Sequence, residues 1–103
     1  MIDNKLKQFP LSYFENKTIM ITGAGGTIGS ALVKRLQHSN IIAADSSEYA
    51  LYKLKRESQG NIKFVLGDLC NEDLVYDIFN AYPIDIVIHC AAYKHVDLLE
   101  DEL

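Results

Sequence analysis

Apolar and polar positions along the chain alternate between two periods. Thr18 to Thr22 is a short apolar run that ends in glycines, which suits a buried parallel strand. Residues 26–38 carry Ile28, Ala31, Leu32, Arg35 and Leu36 at helical spacing, one face of a helix. Ile41 to Asp45 is a second buried strand. Residues 47–58 predict a second helix, with Asp45 or Ser46 as its cap and Glu48 in its first turn. Ile62 to Gly67 is a third strand. Asn71 caps a third helix whose apolar face is Leu74, Val75, Ile78 and Phe79. Pro83 closes that connection, and Ile84 to Cys90 is the fourth and most apolar strand. A fourth helix is expected to begin near His95. Ahead of the regular pattern lies a mixed leader, residues 1–16. It offers Leu6, Phe9, Leu11 and Phe14 as packing contacts, with Pro10 interrupting any helix.

Strands that alternate with helices imply an α/β fold with a parallel sheet and right-handed crossovers. The expected spatial order is 3-2-1-4, the first half of a doubly wound, Rossmann-type sheet with flanking helices. Residues 17–103 then form a dinucleotide-binding half-domain behind the leader. Because such a fold continues with further strands beside the fourth, the chain is expected to be a truncated part of a larger domain.

Composition narrows the function classes. The chain has 103 residues, 49% of them hydrophobic and 23% charged, and a net charge of −4. That size allows one small domain with a modest core. The acidic balance speaks against nucleic acid as a partner. No run approaches the ~20 apolar residues that a membrane span requires. Cys70 and Cys90 lack metal-ligand spacing, so no metal site is expected. Two reduced thiols and no secretory signal fit a cytoplasmic protein.

The chemistry concentrates in Thr22-Gly23-Ala24-Gly25-Gly26-Thr27-Ile28-Gly29, between a strand and a helix. Gly23 permits the tight turn out of the strand. Gly26 lets backbone N–H groups reach a pyrophosphate, and Gly29 lets the helix pack closely. The helix N-terminus then faces the phosphates, with Gly25, Thr27 and Ile28 in the same turn. Asp45 ends the second strand 22 residues after Gly23, where a carboxylate can accept bonds from ribose hydroxyls. It can also serve as a helix cap. Its charge opposes a 2′-phosphate, which favours NAD, with NADP as the alternative because Ser46 or Ser47 can bond a phosphate. Asp68 and Leu69 end the third strand beside the expected adenine position, where a turn role is equally open. Ala91, Ala92 and Tyr93 follow the fourth strand and would border the middle of the cofactor, or would simply permit close packing. Lys94 and His95 come next and are candidate substrate contacts, or solvated residues at a helix start. Tyr49 and Lys53 spell YxxxK but lie after the second strand, so they are read as a surface pair. No catalytic residue is assigned. His38 and His89 are read as structural.

The stretches TGAGGTIGSAL, DSSEYALYKL, GDLCNED and AAYKHVDLLE resemble the polysaccharide-biosynthesis, CapD-like branch of the extended short-chain dehydrogenases. These are nucleotide-sugar 4,6-dehydratases and epimerases, and the resemblance covers about residues 17–100. It implies a bound NAD or NADP that is reduced and reoxidised within one turnover, and a substrate like UDP-N-acetylglucosamine. Gly23, Gly26, Gly29, Asp45 and Asp68 match the family's cofactor-binding positions. Asp97 stands where the family run has proline. The family's catalytic Tyr and Lys have no counterpart here, so the isolated chain is expected to be inactive within an enzyme that assembles as a homo-oligomer. The competing reading is a dinucleotide-sensing module without chemistry, since fold alone does not set function.

Overall fold

A computed structural model describes residues 11–90. After a 3-10 turn at Leu11–Phe14, the chain runs β1 (Thr18–Thr22), α1 (Thr27–Arg35), β2 (Asn40–Asp45), α2 (Glu48–Glu57), β3 (Asn61–Leu66), α3 (Glu72–Ala81) and β4 (Ile86–His89). The four strands form one parallel sheet in the order β3-β2-β1-β4, as the alternation of periods requires. β1 and β2 lie in the middle and are covered on both faces. That is why TIMIT and NIIAAD read as continuous apolar runs rather than alternating ones.

Alternate side chains of each central strand enter opposite layers. Ile19, Ile21, Ile41 and Ala43 pack with Leu32, Val33 and Leu36 of the α1 region and Leu54 of α2. Met20, Ile42 and Ala44 pack with Ile78 of α3. Two helices therefore cover one face and α3 the other. The leader contributes Phe14 to the first layer. Its carbonyl accepts the Ser39 hydroxyl at 2.7 Å, and the Lys17 carbonyl accepts the Asn40 N–H at 3.0 Å.

Five details differ from the sequence expectations. α1 ends at Arg35, because the chain must turn at Leu36–Ser39 to enter β2. Its buried side is Gly29, Leu32 and Val33, while Ala31 and Arg35 are exposed. The cap of α2 is Ser47, whose hydroxyl accepts the Ala50 N–H at 3.1 Å. Asp45 and Ser46 do not cap it, because the Asp45 carboxylate is taken up one step earlier, by the Ser47 N–H at 2.9 Å. β4 begins at Ile86, and Asp85 ahead of it is tied to the start of β1. Its carboxylate accepts the Thr18 N–H and its own N–H bonds the Thr18 carbonyl, both at 2.8 Å. On α3, Asn71 is the cap as expected, accepting from the N–H groups of Asp73 and Leu74. Ile78 is buried there, whereas Phe79 remains 46% exposed.

Candidate functional site

The site is built where β1 gives way to α1. Gly23 has φ +65°, a backbone shape that side chains disfavour, and it turns the chain sharply out of the sheet. The Ala24 N–H then bonds the Ala44 carbonyl at 3.1 Å, and the Gly26 N–H closes the turn on the Gly23 carbonyl at 3.0 Å. α1 starts at Thr27 with Gly26 as a cap residue that has no side chain to offer. The N–H groups of the first helical turn thus carry no side-chain cap, and they point along the positive end of the helix. The Gly25 N–H goes to the Asp45 carboxylate and the Gly26 N–H to the Gly23 carbonyl, so the uncapped first-turn donors are those of Thr27, Ile28 and Gly29.

The glycines of this turn serve different ends. A β-carbon on Gly29 would stand 2.2 Å from the Gly23 carbonyl oxygen and 2.8 Å from the Ala24 Cα. One on Gly25 would stand 2.4 Å from the Ala50 β-carbon, in the first turn of α2. One on Gly26 would meet only the Gly23 carbonyl oxygen, at 3.3 Å, and would otherwise enter open space. Gly26 has φ −76° and ψ 178°, an extended shape open to any residue. Its lack of a side chain keeps space clear in front of the helix.

Asp45, at the end of β2, reaches into the same turn. One carboxylate oxygen accepts the Gly25 N–H at 2.9 Å, and the other accepts the Ser47 N–H at 2.9 Å. Each oxygen retains a further lone pair for an incoming hydroxyl. Ser46 and Ser47 are exposed beside it. A groove of about 310 Å³ runs along the turn between α1 and α2, lined by Gly25, Gly26, Thr27, Ser30, Ala50 and Lys53 among others. At its margin Lys34 pairs with Glu57 at 3.1 Å, and that contact holds the Glu57 carboxyl below its ordinary range. A second, apolar groove of about 220 Å³ lies between α2 and β3, against Leu51, Tyr52, Phe64 and Leu66. None of the glycine turn lines it.

Asp68 behaves differently from Asp45. It is exposed, and its carboxylate accepts the Cys70 N–H at 2.9 Å, a contact within its own turn. Leu69 packs toward the layer under α3. Tyr49 is 73% exposed on α2, so the YxxxK pair sits on an open helix surface. Ala91, Ala92, Tyr93, Lys94 and His95 lie outside the described residues. Two contacts were not foreseen. Ala50 sets the space at Gly25, a tertiary relation with no sequence signal beyond the smallness of the residue. Thr22 Oγ1 lies 2.6 Å from His89 Nδ1, where β1 and β4 end side by side. Cys90 follows at the buried end of β4, and burial pushes its thiol up.

The chain is 37% identical over 94 residues to the capsular polysaccharide biosynthesis protein CapD of Staphylococcus aureus, covering 82% of this chain and 16% of CapD. It is 41% identical over 88 residues to a dTDP-D-glucose 4,6-dehydratase of Dictyostelium discoideum, covering 77% of this chain and 20% of that enzyme. Among solved structures, an NAD+-bound xylitol dehydrogenase superposes with a TM-score of 0.61 at 28% identity, covering 72% of this chain and 32% of that one. The chain thus spans a quarter or less of the two curated relatives named here. Residues 19–103 match the family described as polysaccharide biosynthesis protein, and the chain belongs to that family, the CapD-like branch of the extended short-chain dehydrogenases.

Proposed function

We propose that this chain is the dinucleotide-binding part of a nucleotide-sugar 4,6-dehydratase or epimerase of polysaccharide biosynthesis. The observation that carries the reading is the open space at Gly26, in front of uncapped helical N–H groups and next to a carboxylate tied to the same turn. That space lies before the positive end of α1, where an anion such as a pyrophosphate is favoured.

In this reading the N–H groups of Thr27, Ile28 and Gly29 hold the pyrophosphate, and Gly23, Gly25 and Gly26 shape its bed. Asp45 orients the adenosine ribose, with Ser46 and Ser47 at its edge, and its charge selects NAD over NADP. Asp68 and Leu69 border the adenine. Ala91, Ala92 and Tyr93 border the middle of the cofactor, and Lys94 and His95 face the sugar nucleotide, with UDP-N-acetylglucosamine as the model substrate. A bound nicotinamide would supply hydride acceptance and return, while the protein supplies position and electrostatics. Lys53 lines the groove and Tyr49 stands exposed on α2, and neither is assigned a proton-transfer role. We place the active enzyme in the cytoplasm as a homo-oligomer. Among the described residues β4 pairs with β1 only, an edge that would favour association of the isolated chain. No helix of the described residues is long and apolar enough to cross a membrane.

The test is to incubate the full-length protein that carries this sequence with UDP-N-acetylglucosamine and NAD or NADP. A 4-keto-6-deoxy product or a 4-epimer is expected, and the 103-residue chain alone should give neither. Turnover by the chain alone, abolished by Tyr49→Phe, would contradict the assignment of roles.

A further inference from the structure

The sheet order places the switch point of the fold between β1 and β4. From β1 the chain leaves toward β2, and β4 arrives from the opposite side. In open α/β sheets a ligand lies over the carboxyl ends of the strands at this point. Thr22 and His89 are register partners there, each the last residue of its strand.

Both polar groups on the Thr22 carbonyl side and side chain are taken by the end of β4. Its carbonyl accepts the Cys90 N–H at 3.1 Å, and its hydroxyl lies 2.6 Å from His89 Nδ1. With Nδ1 unprotonated the hydroxyl donates, and with Nδ1 protonated it accepts, so either ring form keeps the bond. Thr22 is only 3% exposed, so its hydroxyl would be left buried without a partner if the ring were removed. The next residue is Gly23, whose φ of +65° aims the turn, and Gly26 closes on the Gly23 carbonyl. The turn is therefore held on two flanks. On the β2 side the ties are the Ala44 carbonyl and the Asp45 carboxylate. On the β4 side, among the described residues, the side-chain tie is Thr22 to His89.

We propose that Thr22 and His89 are a positioning pair, whose hydrogen bond sets the glycine turn against the end of β4 across the crevice where the two halves of a dinucleotide part. The proposal rests on the dinucleotide reading above. It separates the two flanks by function. The β2 flank serves the adenosine end, whereas the pair serves the junction with the nicotinamide half, because in the dinucleotide reading the residues after β4 border the middle of the cofactor.

Thr22→Val removes the hydroxyl at constant shape, Thr22→Ser retains it, and His89→Phe keeps a ring without its nitrogens. The full-length protein and these variants are titrated with NAD and with AMP, below the melting range of every variant. Thr22→Val and His89→Phe should each weaken NAD binding by about threefold to tenfold, as expected for one hydrogen bond. The double variant should be no weaker than the weaker single one. Thr22→Ser should stay near wild type, and AMP affinity should not change. Equal losses for AMP and NAD, additive losses in the double variant, or a lower melting point with unchanged NAD affinity would each overturn the pair's role. A wild-type protein that binds no NAD would overturn the cofactor reading itself, an outcome distinct from variants that merely match wild type.

Discussion

Gly29 and Gly25 on the closed side of the turn differ in kind from Gly26 on its open side. At the first two, a β-carbon would run into backbone or a neighbouring β-carbon at 2.2 and 2.4 Å. At Gly26 the nearest atom is 3.3 Å away and the backbone is in an ordinary extended shape. The same residue type therefore answers two demands. On the closed side glycine is required by the fold, since α1 and α2 press against the turn. On the open side a β-carbon would need only a few tenths of an ångström of give from the Gly23 carbonyl, so the demand of the fold is weaker there. The contrast separates glycines that packing requires from one that it requires less, within a single run.

The strongest way to break the comparison is Gly29→Val. The clash is with backbone, which no rotamer change relieves, so a loss of about 3 kcal/mol or more is expected. For a small domain that removes most of the margin of stability. Thermal or urea unfolding should show a weakened or absent cooperative transition. A transition like that of wild type would show that the closed side is not closed. Gly25→Ala should cost less, about 1–3 kcal/mol, because its nearest obstacle is the Ala50 β-carbon at 2.4 Å, with the Ala50 carbonyl carbon and Cα behind it at 3.0 and 3.2 Å. Adding Ala50→Gly should return part of that loss, less the roughly 1 kcal/mol that glycine costs in a helix. No recovery in the double variant would mean that Gly25 is constrained by something other than Ala50.

Much of this was legible in the sequence because it depends on local period and local chemistry. The strand order followed from alternating apolar runs, and Gly23 and Asn71 were identified from turn and cap preferences alone. The departures are all tertiary. Asp45 looks like a cap residue by position, yet its carboxylate spans 20 residues back to Gly25, which moves the cap to Ser47. Ala31 and Arg35 fit a helical face by spacing, but Gly29 and Val33 shift the buried stripe once the helix lies against the sheet. Ile84 and Asp85 stand ahead of an apolar run, but the Asp85 carboxylate takes the Thr18 N–H and the strand starts only at Ile86. The Thr22–His89 contact joins positions 67 apart and has no local signature.

A finer test concerns the two acidic strand ends. Asp45 bonds a distant element of the turn, whereas Asp68 bonds within its own turn. Asp45→Asn should narrow the preference for NAD over NADP several-fold by removing the charge opposite a 2′-phosphate. Asp68→Asn should leave that preference unchanged. Paired titrations with both cofactors read the ratio directly, and a wild-type protein that binds NADP more tightly would contradict the role given to Asp45.

The central claim is that the open side of the turn exists for a dinucleotide pyrophosphate, and Gly26→Val tests it most directly. Wild type and variant are compared for melting midpoint and for NAD affinity in the full-length protein. The account predicts a folded variant, destabilised by about 1 kcal/mol through the poorer helix cap, whose NAD affinity falls at least tenfold because a branched side chain occupies the space before the first-turn N–H groups. Equal NAD affinity in the two proteins would contradict it.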